Sequence, residues 1–153
     1  MQAKFKASVS NPITYAECAE LCSRNKGADW FKLANNTYVQ PSSTCADSYE
    51  VKLHSTEIIT VHSDGTYTLC TGGYNSITTC DRLNRLGPCP AFIRSGCIYV
   101  RNYLDQRYGE VYGTMALIGN ERYHFDACGV YLGETSNRRI VARSSFENYC
   151  KAD

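Results

Sequence analysis

Arginine and tyrosine are the residues of this chain whose types and spacing point most directly to chemistry. Ten of the sixteen basic residues are arginine, the cation whose planar fork suits bidentate recognition of phosphate or carboxylate. Arg94, Tyr99, Arg101, Tyr103, Arg107 and Tyr108 interleave cations with aromatics. Single-strand and nucleotide sites use that pattern, with bases stacked on rings and phosphates held by cations. Asp81-Arg82-Leu83-Asn84-Arg85 places Arg82 and Arg85 three apart on a predicted helix, where they share a face. Arg138, Arg139 and Arg143 form a second cluster. The candidate binding set is Arg82, Arg85, Arg94, Tyr99, Arg101, Tyr103 and Arg107. The competing reading is a solvated face balanced by acidic residues.

Other constellations are weaker. His54 and His62 fall on neighbouring predicted strands, with Asp64 close by and Asp81 beyond the Gly72-Gly73 turn. Two imidazoles and a carboxylate would suit a metal-dependent hydrolase, provided the strand register turns them to one side. Nine cysteines are an odd number, so at least one stays free or pairs between chains. Only Cys18 and Cys22 approach zinc-knuckle spacing, and no cysteine sits in a recognised nucleophile motif. Buried thiols are the preferred reading, ahead of disulfides and zinc. Gly72-Gly73 lacks the spacing and the Lys-Ser/Thr of a phosphate loop. No catalytic residue, metal or cofactor is expected.

These side chains need elements to carry them. The 153 residues fit one domain. A hydrophobic content of 43% and charged content of 20% exclude a disordered or coiled-coil chain. A net charge of +1 offers no bulk pull toward nucleic acid or membrane. The longest apolar runs fall far short of the roughly 20 residues that span a bilayer. Met1 to Lys6 is basic with no apolar stretch behind it, so no secretory signal is read and a reducing cytosol is the default.

Thr14-Tyr15-Ala16-Glu17 has the form of a capping box and predicts a helix over about residues 14 to 25. Residues 40 to 48 read as loop. Tyr49 to His54 alternates as a half-buried strand does, and Glu57 to His62 and Thr66 to Cys70 read as two more around an Asp64-Gly65 turn. Thr78-Thr79 is read as the cap of a helix from Cys80 to Arg85, ended by Gly87-Pro88. Ser95-Gly96 joins Ala91–Arg94 to Cys97–Val100 as a two-residue hairpin loop. Gly119-Asn120-Glu121 separates Val111–Ile118 from Arg122–Phe125. Arg138 to Arg143 alternates, and Ser144 to Cys150 reads as a terminal helix. The fold class expected is α+β: a single domain over 1–153 with an antiparallel sheet, a short N-terminal helix and one or two further short helices.

From about Lys32 to Pro88 the chain resembles a widespread family of small, phage-borne, mostly uncharacterised proteins. The residues that carry the resemblance are Leu33-Ala34-Asn35-Asn36-Thr37-Tyr38, Val51 to Ile58, Asp64 to Leu69, Thr71-Gly72-Gly73-Tyr74 and Thr78 to Arg85. The motif-bearing half covers about residues 30–88, and a strand-rich C-terminal extension follows over about 89–153. The resemblance implies a phage or prophage origin and hence the host cytoplasm. It carries no chemistry to transfer residue by residue. The function expected is that of a small, non-catalytic binding protein engaging a nucleotide, a nucleic acid or a host defence complex through Arg and Tyr, with no membrane partner. The alternatives are a virion-associated protein that assembles as a homo-oligomer, and the metal-dependent hydrolase.

Overall fold

The computed structural model describes residues 4–103 and 112–134. Helix α1, Tyr15–Ser23, starts where the capping box predicts. The Thr14 hydroxyl accepts the Glu17 N–H at 3.1 Å, and the Glu17 carboxylate accepts the Thr14 N–H at 2.9 Å. Ser10 adds its N–H and hydroxyl to the same carboxylate at 2.9 and 3.0 Å. Desolvation pushes the Glu17 carboxyl up, but together these hydrogen bonds outweigh it and hold the group below its ordinary value. The stability Glu17 contributes is thus complete above the ordinary carboxylate range and is lost as pH falls through its lowered value. Thr14→Ala is expected to cost about 1 kcal/mol in urea unfolding. Glu17→Gln should flatten the acid side of the stability profile.

Ten strands follow or flank the helices among the described residues, all paired antiparallel. A seven-stranded sheet holds β1 (Phe31–Ala34), β2 (Thr37–Pro41), β3 (Ser48–Leu53), β4 (Thr56–His62), β5 (Tyr67–Leu69), β9 (Tyr123–Phe125) and β10 (Tyr131–Glu134), in that spatial order. A three-stranded sheet holds β6 (Ala91–Arg94), β7 (Cys97–Tyr103) and β8 (Tyr112–Ala116). Helix α2, Ile77–Leu86, joins the two. The fold class is α+β, with two sheets where the sequence suggested one.

Registration explains both faces of the larger sheet. One cross-strand row runs Val39, Val51, Ile59, Leu69, Tyr123. Its neighbour runs Tyr49, Val61, Tyr67, Phe125, Tyr131. These rows, with Ile13, Cys18 and Leu21 from the N-terminal side and Leu83, Leu86, Ile98 and Val100 from the other, form one hydrophobic core. The alternate row is polar: Gln40, Glu50, Thr60, Thr68, His124. All of it but the half-buried Gln40 is buried, and hydrogen bonding satisfies it, as burial demands. His62 bridges Ser48 at 2.9 Å and Thr68 at 2.7 Å.

Several expectations change. His54 is not on a strand: it occupies the β3–β4 turn with φ +55°. Neither this turn, with His54, nor the β1–β2 turn, with Asn36 at φ +56°, carries a glycine to announce its left-handed residue. The cap of α2 is Ser76, whose hydroxyl accepts the Thr79 N–H at 3.1 Å, so the helix starts at Ile77 rather than Cys80. Gln40 and Pro41 belong to β2 and Ser48 to β3, which shortens the expected loop. β8 and β9 flank the Gly119 turn but join different sheets, β8 pairing with β7 and β9 with β5. The strand and helix expected beyond Arg138 lie outside the described residues.

Candidate nucleic-acid interface

The small sheet collects the arginine–aromatic residues. Along β7, Ile98, Val100 and Asn102 are fully buried, while the residues between them turn outward. The Ser95-Gly96 turn, with φ +52° and +76°, sets Arg94 opposite Cys97 and Phe92 opposite Tyr99. Arg101 follows on the same face, opposite Thr114 of β8. Arg94, Arg101 and Thr114 are exposed, and Phe92 and Tyr99 half-buried.

The geometry at the centre of this face is tight. The Phe92 and Tyr99 rings lie 5.8 Å apart and only 15° from parallel. The Arg94 guanidinium carbon sits 5.4 Å from the Phe92 ring centre and 5.3 Å from that of Tyr99. Both distances are within cation–π range. Among the described residues neither Arg94 nor Arg101 forms an ion pair. Their donors meet no carboxylate among the described residues, where a balanced, solvated face would pair them. Tyr103 ends β7 in register with Tyr112. Arg107, Tyr108, Arg138, Arg139 and Arg143 lie outside the described residues.

Phe92 was not among the expected residues, yet the sequence held the signal. A two-residue loop at Ser95-Gly96 fixes the cross-strand partner of Tyr99 by counting back to Phe92.

Arg82 and Arg85 share a face of α2, and that face looks inward. Arg82 is 3% exposed. Its Nε donates to the Thr37 hydroxyl at 2.8 Å, a terminal nitrogen donates to the Asp81 carboxylate, and the other reaches the Asn35 carbonyl at 3.5 Å. Arg85 pairs with Asp81 at 3.2 Å and lies 3.7 Å from the Phe5 ring centre. The two arginines share the Asp81 carboxylate and the Phe5 ring, and Arg82 fastens α2 to the β1–β2 turn. A groove of about 610 Å³ runs beside them between α2, the β3–β4 turn and β6, lined by His54, Ile77, Cys80, Asp81, Arg82 and Ile93 among others.

Nucleophile and metal arrangements find little support in the geometry. His54 and His62 stand at opposite ends of the β3–β4 hairpin, roughly 20 Å apart at the rise of a strand. Among the described residues no group of three or more His, Cys, Asp or Glu is placed to hold a metal. Burial, then the Asp81 charge, pushes the Cys80 thiol up, opposite to what a thiolate nucleophile needs. The eight described cysteines are free thiols, four of them buried. Burial drives Cys18 and Cys89 up to about 12. Among the described thiols, Cys128, which is exposed, is expected to react first with a maleimide at neutral pH, and Cys18 and Cys89 only after denaturation; mass spectrometry of the labelled protein checks the order.

A family model described as Kyanoviridae Gp96 protein matches residues 16–114, from the first turn of α1 into β8. The chain belongs to the Kyanoviridae Gp96 protein family. The match supports a phage family and runs past the stretch over 32–88, taking in β6, β7 and most of β8. The outward Arg94, Tyr99 and Arg101 of this Kyanoviridae Gp96 family member all fall within the match. No curated protein matches the chain, and no solved structure matches it either. No helix among the described residues is long and apolar enough to cross a membrane.

Proposed function

We propose that this phage protein is a non-catalytic binding protein that takes a nucleic acid or nucleotide on the outer face of β6–β7–β8, in the host cytoplasm. The observation that carries the reading is Arg94 resting on the Phe92–Tyr99 ring pair, with Arg101 beside it and neither cation tied to a carboxylate among the described residues. Rings supply a stacking surface that any base can use, and arginine supplies a phosphate donor. Eight free thiols among the described residues fit a reducing compartment. Arg82 and Arg85 serve this function indirectly, by fixing the helix that packs beside β6.

Fluorescence anisotropy with labelled single strands, duplexes and nucleotides tests the reading across a salt series. Binding is expected to weaken with salt, and the Arg94→Ala/Arg101→Ala double variant to weaken it further. For a single strand the slope of log K against log salt should fall by about 0.7 for each phosphate contact removed. Absence of binding to every ligand, or a double variant that binds like the unmodified protein, would overturn it.

A further inference from the structure

We infer that the ligand of the β6–β7–β8 face is a single-stranded segment of several nucleotides, DNA or RNA, rather than a free nucleotide or a duplex; this rests on the reading proposed above. Three features carry it. The first is openness. A small molecule is held by a cavity that covers most of its surface, whereas Arg94, Arg101 and Thr114 are exposed on a sheet face. A base on that face gains one stacking surface, so affinity has to be summed over successive units.

The second is spacing. Tyr99 and Arg101 are two residues apart on β7, about 6.8 Å along the strand. That is the scale of one extended nucleotide step. Arg94 stands one strand away, across the ring pair from Arg101. A base on the Phe92–Tyr99 rings would share them with the Arg94 guanidinium, which stands over both, and would have that cation and Arg101 as donors for its flanking phosphates.

The third feature discriminates against a duplex. Paired bases are already stacked inside the helix and present only their edges in the grooves, so Phe92 and Tyr99 would contribute nothing to holding one. The remaining attraction is to the phosphate backbone, and it draws on basic excess. The chain carries a formal net charge of +1. The rings are the part of this face that only unpaired bases can use.

The test is a length series on the full chain: oligo-dT and oligo-U from the mononucleotide to about ten nucleotides, with a duplex of similar length. Affinity for at least one of the two sugars is expected to rise about tenfold or more over the first few nucleotides and then level off. The duplex should bind about tenfold more weakly. Tyr99→Ala should lower single-strand affinity about tenfold, while Tyr99→Phe, which keeps the ring, leaves it intact; matched melting temperatures show that both variants fold. A mononucleotide that binds as tightly as the oligomers, or a duplex that binds as well, overturns this inference. If that happens while the Arg94→Ala/Arg101→Ala variant still loses affinity, the function proposed for the face survives. If nothing binds at any length, both fall.

Discussion

Replacing Arg82 with alanine is expected to remove about 3–5 kcal/mol of folding stability, the range for breaking one side of a buried ion pair. The side chains of Arg82 and Asp81 are 4% and 15% exposed. The guanidinium also donates to Thr37 and Asn35, on the far side of the β1–β2 turn. Alanine would leave Asp81 with only Arg85, and the Thr37 hydroxyl, on a fully buried residue, without that donor. Arg82→Lys should recover little, because one ammonium cannot reproduce a fork that reaches three acceptors. Arg85→Ala should cost less, about 1 kcal/mol, since its pair with Asp81 is partly solvated and the Phe5 ring contact is a cation–π one near the surface. Urea midpoints for the three variants, at unchanged m-value, measure the difference. Comparable losses for Arg82→Ala and Arg85→Ala would contradict the buried clamp.

Phe125→Ala should be of similar severity, about 3–5 kcal/mol. Phe125 is fully buried and is the largest side chain with no exposure among the described residues. It stands between Tyr67 of β5 and Tyr131 of β10, with its ring 5.5 Å from that of Tyr131. The main-chain ladders on both sides of β9 oppose relaxation into the space alanine would leave, so the cavity persists. Phe125→Leu keeps most of the volume and should cost much less. Guanidinium unfolding followed by tryptophan emission and by circular dichroism together would show whether the transition stays two-state.

Local signals were legible where one short stretch of sequence decides the structure. The capping box at Thr14 and Glu17 needs only four residues, and the Ser95-Gly96 hairpin only two in the left-handed region. The β3, β4 and β5 strands show their alternation or apolar runs directly. The β1–β2 and β3–β4 turns escaped because Asn36 and His54 adopt positive φ without glycine. Division into two sheets escaped for a different reason: the partners of β8 and β9 are set by tertiary packing rather than by the turn between them. At the site, the alternation of cations and rings on β7 was readable, and the register brings Arg94, Tyr99 and Arg101 to one face. Burial of Arg82 was not readable, because a charge spacing that suits a ligand also suits a neighbouring carboxylate and turn.

The pairing of β5 with β9 joins residues far apart in the chain: Thr68 and His124 face each other across 56 positions. Strands β1 to β5 follow one another as local hairpins, which close quickly and at small entropic cost. The ladder between β5 and β9 has to wait until α2 and the small sheet have been threaded out and back. Loop closure makes it the late event in folding and the place where a nascent chain is most exposed to mispairing. The same arithmetic makes the excursion forgiving of change, since doubling the length of a flexible loop adds only about 0.6 kcal/mol to the cost of closing it. A phage lineage could therefore remodel the outer face of the small sheet, turn by turn, while the larger sheet keeps its strand order.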